Sequence, residues 1–202
     1  MANMNDVKRT KFNIILLGES RVGKTCLVTS LTKGAFMDTG LLTAGIDFHI
    51  VEKEFEGKKY KFKIFDTAGQ ERYKSISKSS IKLADGILLI FAVNNKNSFE
   101  KINSWIDSIK DEVNEFQKSI ILCGNKIDVE VREISYNEGL EFAEAHRFKY
   151  FETSAKTLKG VQEVFEEMYK DIYDANKKME NTNIEITKSN NESKKKKSIN
   201  WC

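Results

Sequence analysis

Proline is missing altogether from the 202 residues, and cysteine and histidine are scarce, at three and two. The missing proline has no functional reading of its own, because the abundant Asn and Lys point to the same compositional bias. Cys26, Cys123 and Cys202 have neither metal-ligand nor disulfide-framework spacing, and an odd number argues against a stapled secreted scaffold. A reducing compartment is therefore expected. His49 and His146 stand alone and read as structural or surface residues. No apolar run approaches the roughly 20 residues that a bilayer span requires. The opening MANMNDVKRT lacks the apolar stretch of a secretory signal, so neither secretion nor membrane spanning is expected. Strong charge of one sign is lacking too: a formal +3 is too small to suggest nucleic-acid binding. There is no internal repeat.

What is present fits one globular domain with a short appendage, at 40% hydrophobic and 31% charged residues. Residues 1–178 are read as that domain. From Met179 onward five Lys face three Glu, so +2 of the +3 sits in the last 24 residues. That segment loses apolar periodicity and reads as a flexible polybasic tail ending in Cys202.

Apolar runs bounded by turn signals alternate with stretches of helical period, the pattern of a mostly parallel sheet covered by helices. The fold class is α/β. Strands are expected at Phe12–Leu17, Ile46–Phe55, Tyr60–Phe65, Gly86–Val93, Ile120–Gly124 and Tyr150–Glu152. The short turn at Glu56-Gly57 makes the second and third an antiparallel hairpin, one antiparallel strand in a six-stranded sheet. Helices are expected at Lys24–Lys33, Ser98–Val113, Ser135–His146 and Val161–Lys177, about five in all, and Ser135 with Glu138 has the spacing of a capping box.

Gly18-Glu-Ser-Arg-Val-Gly23-Lys24-Thr25 matches the phosphate-loop pattern G-x-x-x-x-G-K-[ST], directly after an apolar strand and before a helix. Polyphosphate oxygens need closely approaching backbone N–H groups, a helix N-terminus behind them and a reaching ammonium. Gly18 and Gly23 permit such a loop through Ser20, Arg21 and Val22. Lys24 is placed to meet the outer phosphates and the Thr25 hydroxyl to ligate Mg²⁺, with Cys26 next on the same turn. By itself the loop does not separate guanine from adenine.

Asp66-Thr-Ala-Gly69-Gln70-Glu71 puts a carboxylate at a strand C-terminus, where open α/β sheets bind ligands. Asp66 is expected to hold Mg²⁺ largely through water, since that ion keeps several waters. Gly69 can offer its N–H to a γ-phosphate, and Gln70, with donor and acceptor, can orient an attacking water. Taken alone, the stretch could also be a polar turn. Asn125-Lys126-Ile127-Asp128 follows another strand; the Asp128 carboxylate can accept from guanine N1–H and its 2-amino group, a donor pair that adenine lacks. Alone this too is an ordinary surface turn. Ser154-Ala155-Lys156 can lend backbone N–H groups to the guanine carbonyl.

In order and spacing, Gly18–Thr25, Thr43, Asp66–Glu71, Asn125–Asp128 and Ser154–Lys156 resemble the Ras superfamily of small GTPases over about residues 10–178, and Ala44–Phe48, Lys61–Phe65 and Arg72–Ser77 are most similar to Rab proteins. The resemblance implies that Thr43 binds Mg²⁺ and senses the γ-phosphate, and that Phe36 stacks on guanine. It implies a GTP/GDP cycle with slow intrinsic hydrolysis, an exchange factor, a GTPase-activating protein, effectors and a GDP-dissociation inhibitor or escort. Ala44, Phe65, Ser79–Lys82 and Phe91–Asn94 depart from the Rab pattern; this leaves the nucleotide chemistry unaffected and bears on effector and regulator contacts, which in Rabs involve the aromatic cluster represented here by Phe48, Phe65 and Tyr73. Rabs end in two modifiable cysteines where this chain has Cys202; with Lys194–Lys197 beside it, a single lipid plus a polybasic patch is expected to hold the protein on the cytosolic face of an intracellular membrane. A Ras-like signalling GTPase, a GTP-binding scaffold with negligible hydrolysis and an adenine-nucleotide kinase are the competing classes.

Overall fold

A computed structural model describes residues 9–37, 46–67, 80–112 and 118–199, as backbone alone at Ile46, Thr67 and Asn181 and beyond Thr182. Its strands are β1 (Lys11–Leu17), β2 (Ile46–Phe55), β3 (Lys58–Thr67), β4 (Gly86–Ala92), β5 (Ser119–Asn125) and β6 (Lys149–Thr153), in the order β2-β3-β1-β4-β5-β6. Only β2 runs antiparallel to its neighbour. Among the described residues the helices are α1 (Lys24–Lys33), α2 (Lys96–Glu100), α3 (Ile102–Glu112), α4 (Tyr136–Ala145) and α5 (Val161–Ile199).

Parallel strands covered on both faces read as nearly unbroken apolar runs, and alternate residues then serve alternate faces. In β1, Phe12, Ile14 and Leu16 pack with Leu27 and Val28 of α1 and Val164, Phe165 and Met168 of α5. Ile15 and Leu17 face the other way, in a cluster with Ile102, Trp105, Ile106 and Ile109 of α3. The hairpin forms where expected, with Glu56 and Gly57 at φ 50° and 75°, both left-handed as a type I′ turn requires.

Two helices differ from the sequence expectation. The span Ser98–Val113 is divided between α2 and α3, and it starts earlier because Asn95 Oδ1 accepts from Ser98 N at 3.0 Å, an N-cap two turns of sequence ahead of the apolar stripe. The last helix, expected to end near Lys177, continues to Ile199. No Pro follows to break it and no Gly follows Gly160, so no strong helix breaker interrupts the backbone. The Ser135 capping box is present, with Glu138 N donating to Ser135 Oγ at 3.2 Å and Ser135 N to Glu138 Oε2 at 2.8 Å. Among the described residues no helix is long and apolar enough to cross a membrane.

The strand order reverses about β1, which has β3 on one side and β4 on the other. In such sheets ligands bind beyond the strand C-termini at that reversal. The motif segments after β1, β3, β5 and β6 all leave from that edge.

Candidate functional site

β1 ends at Leu17 and α1 starts at Lys24, so six residues must turn the chain close against β4. Gly18, at φ 150°, has no room for a side chain: a Cβ there would lie 2.1 Å from Ile90 O. Gly23, at φ 99°, would drive a Cβ to 2.4 Å from Asn125 Nδ2. Arg21 also takes the left-handed conformation, at φ 64°. Gly23 is the N-cap of α1 and brings no side-chain cap, so the positive end of the helix faces the loop. Val22 is buried, Ser20 half-buried and Arg21 exposed.

Lys24 is almost wholly buried, and its ammonium donates to Gly18 O at 2.7 Å and Glu19 O at 2.8 Å. Burial pulls its pKa down to about 8, against the opposing charges of Asp66 and Glu19. Between pH 8 and the ordinary 10.5 the unfolded chain therefore binds more protons at this site than the folded one, and stability rises with pH through that window. A polyanion placed beside the ammonium favours its charged form. Nucleotide binding at pH 8, where phosphates are already ionised, is expected to take up a fraction of a proton, since part of the buried Lys24 is neutral there. Calorimetry in two buffers of different ionisation enthalpy checks this; a heat independent of buffer contradicts it.

Asp66, the penultimate residue of β3, has 1% of its surface exposed. Burial raises its pKa, opposed by a hydrogen bond from Thr25 and by the Lys24 charge. Its Oδ1 is buried without a hydrogen-bond partner. A buried carboxylate oxygen left unpaired is costly, and the pair Thr25 hydroxyl plus Asp66 carboxylate is a hard-oxygen donor set. Such a set fits Mg²⁺, which takes one or two carboxylates and completes its shell with phosphate and water.

Asn125 ties the separate loops together. Its Nδ2 donates to Val22 O at 2.8 Å, and its Oδ1 accepts from Thr153 Oγ1 at 3.1 Å and Ala155 N at 3.3 Å. Ser30 of α1 donates from its hydroxyl to Ala155 O at 2.8 Å. Asp128 is braced from the same side: its Oδ1 accepts from Ser154 Oγ at 2.6 Å, and its Oδ2 lies 4.0 Å from Lys156 Nζ. Thr157 N donates to Ser154 Oγ at 3.0 Å, which leaves that hydroxyl's own proton for Asp128. Lys126 sits at φ 69° and Phe36, past the end of α1, is 39% exposed.

The structure thus gathers Gly18–Thr25, Asp66, Asn125, Asp128 and Ser154–Lys156 at one sheet edge. Cys26 is half-buried and packs against the core, and burial pushes the Cys123 thiol up to about 12. Thr43, Gly69, Gln70 and Cys202 lie outside the described residues, as do the side chains of Lys194–Lys197. Thr153 and Ser30 escape sequence reasoning. Thr153 is marked only by its register opposite Asn125, and Ser30 only by the face of α1 it occupies.

A glycine-turned loop at a helix N-terminus, a buried lysine and a hydroxyl–carboxylate pair define a P-loop nucleotide-binding protein. The sequence matches the Ras family over residues 13–174. It is 40% identical to Ras-related protein Rab-13 of Canis lupus familiaris over 162 residues, 80% of this chain and 79% of that one. It is 40% identical to Rab-8B of Homo sapiens over 85% of this chain and 84% of that one, and 36% identical to Rab-18 of Lymnaea stagnalis over 90% of each. The chain belongs to the Ras family as a divergent Rab, a small GTPase of membrane trafficking that binds GTP and GDP and hydrolyses GTP.

Proposed function

We propose that the chain is a Mg²⁺-dependent switch whose GTP-bound form recruits effectors to an intracellular membrane. The observation that carries this is the buried meeting of Lys24, Thr25 and Asp66 under the Gly18–Gly23 loop. Backbone N–H groups from Gly18 through Cys26, including Ser20, Arg21, Val22 and Gly23, enclose the phosphates, and the Lys24 ammonium offsets their charge. Thr25, Thr43 and Asp66 hold Mg²⁺, which when bound neutralises charge on the outer phosphate oxygens. Gly69 N–H meets the γ-phosphate, and Gln70 orients the water that attacks it in line. Asn125 positions the base loops, Asp128 reads the guanine edge, Lys126 and Phe36 flank the ring, and Ser154, Ala155 and Lys156 present N–H groups to its carbonyl.

Segments 36–46 and 67–77 are ordered by GTP and released after hydrolysis. An exchange factor and a GTPase-activating protein drive the cycle, and a GDP-dissociation inhibitor or escort takes the GDP form. Residues 1–178 carry the nucleotide chemistry. Lys194–Lys197 and a single lipid on Cys202 hold the protein peripherally on the cytosolic face.

Calorimetric titration with GDP, with and without Mg²⁺, followed by single-turnover GTP hydrolysis, tests the reading; no Mg²⁺-dependent capture of GDP would sink it. Gln70→Leu is expected to lower stimulated hydrolysis on the order of 10²-fold, the scale of a lost orienting contact, with GTP affinity nearly unchanged. An unaltered rate would refute the role of Gln70.

A further inference from the structure

One face of the β2–β3 hairpin packs on α1 and α5 through Val51, Phe55 and Phe62. Side chains alternate along a strand, so Phe48, Ile50, Glu52 and Glu54 point to the other face, where all four are exposed. The register pairs Glu54 with Lys59 and Glu52 with Lys61, two rungs of opposite charge, and Lys61 Nζ lies 3.0 Å from Glu52 Oε1. The next rung breaks the pattern, because Lys63 faces Ile50. Its ammonium turns to the fourth rung, Phe48 opposite Phe65, and stands 3.9 Å from the centroid of the first ring and 4.8 Å from that of the second. Among the described residues no carboxylate pairs with it.

Phe48 and Ile50 are 51% and 58% exposed, and β2 is an edge strand of the sheet. Adjoining large apolar side chains at a sheet edge mark a surface that another molecule covers, since an edge left bare is ordinarily blunted with charge. Exposed rings alone accept any apolar partner. Lys63 makes the surface selective: whatever covers Phe48 and Ile50 also strips water from the ammonium lying against them. A ring face compensates only part of that loss, and a buried cation needs an opposite charge. The hairpin spends its own carboxylates on Lys59 and Lys61, so the counter-charge has to come from the partner.

We infer that Lys63 sets partner choice at this face: the GTP-bound form docks a protein segment that carries an Asp or Glu side chain between apolar ones, the carboxylate meeting the Lys63 ammonium while the apolar groups cover Phe48 and Ile50. A segment with Lys or Arg at that place is rejected by like charge. The face carries three Lys against two Glu, and a single unmatched cation falls short of the cluster that an anionic membrane surface requires. The inference rests on the effector role proposed for the GTP form. Lys63 lies outside the nucleotide pocket, so partner binding and nucleotide binding separate in the test.

A phage-displayed library of fully randomised peptides, selected against the full-length chain loaded with Mg²⁺ and a non-hydrolysable GTP analogue, supplies the probe. Selected peptides are expected to slow amide exchange at residues 48–50 and at Lys63 and to carry an acid flanked by apolar residues. Changing that acid to Gln should weaken binding to wild type on the order of tenfold, yet alter binding to Lys63→Gln by less than about twofold. Lys63→Glu should refuse the acidic peptide and accept its Lys-substituted form, with GDP affinity unchanged. Peptides that protect this face without a charge preference, or with the same preference on Lys63→Glu, would overturn the inference. So would a selection whose binders all leave residues 48–50 unprotected, or capture of the chain by phosphatidylserine vesicles that Lys63→Glu abolishes. Acid-bearing peptides that bind the GDP-loaded chain equally well would support the Lys63 readout and refute the effector role instead.

Discussion

Asp128→Asn is expected to weaken GDP binding by roughly 10³- to 10⁴-fold, the range reached when a site built to hydrogen-bond a group meets the wrong partner. The bracing of Asp128 explains why the loss should be so large. Ser154 Oγ holds Oδ1 at 2.6 Å and Lys156 Nζ lies 4.0 Å from Oδ2, so the carboxylate cannot swing away from a mismatched base. Asn would keep the shape and one acceptor oxygen for guanine N1–H, but would present an amide N–H₂ to the 2-amino group. Donor would face donor in a partly dry site, leaving both unsatisfied. Xanthine offers a carbonyl where guanine carries its amino group, so xanthosine diphosphate should bind the variant more tightly than GDP does. Competition titration of the two nucleotides measures this, and a fall in GDP affinity of less than about tenfold would contradict the readout assigned to Asp128.

Asn125→Ala carries the other large expected effect, and it acts on folding and nucleotide retention together. The side chain is 1% exposed and satisfies Val22 O, Thr153 Oγ1 and Ala155 N at once. Thr153 Oγ1 keeps Cys123 Sγ at 3.3 Å, but Val22 O and Ala155 N are stranded at about 1–3 kcal/mol each, so a total of about 2–6 kcal/mol is expected. That is a large share of the ~5–15 kcal/mol by which domains are stable. The phosphate loop and the base loop also lose their common strut, so GDP should escape on the order of 10²-fold faster, the scale of about 2.7 kcal/mol. Urea unfolding and a fluorescent-GDP chase read the two effects. Thr153→Val removes a single donor to Oδ1 and should show a fraction of both; equal effects would mean that Asn125 has no special linking role.

Sequence reasoning reached the sheet because its signal is local. A strand buried on both faces must be apolar along its length, and β4 has all seven residues buried, so Gly86–Ala92 reads as a strand without any neighbour in view. The hairpin turn and the Ser135 capping box are equally local, since a few adjacent residues set them. The extent of α5 was not legible in the same way. Residues 179–199 lack apolar periodicity, which argues for a tail, whereas a helix already nucleated and packed at Val161–Tyr173 adds further turns cheaply where no Pro or Gly intervenes. The split between α2 and α3 was missed because a continuous apolar stripe hides the Asn95 cap that starts a separate short helix.

The sequence by itself determined which chemical groups the site has at its disposal: a loop that only glycine can turn at Gly18 and Gly23, an ammonium, a hydroxyl–carboxylate pair and a second carboxylate for the base. Each lies within a short motif at a strand end, and short-range spacing is what a sequence records. Only the tertiary structure decided how those groups are held: Asn125 on Val22 across 103 positions and Ser30 on Ala155 across 125. These partners meet because β1, β4, β5 and β6 lie side by side in the sheet. Contacts between residues so far apart leave no periodic trace in the chain, and the free energy of an unsatisfied buried polar group becomes visible only once burial is known.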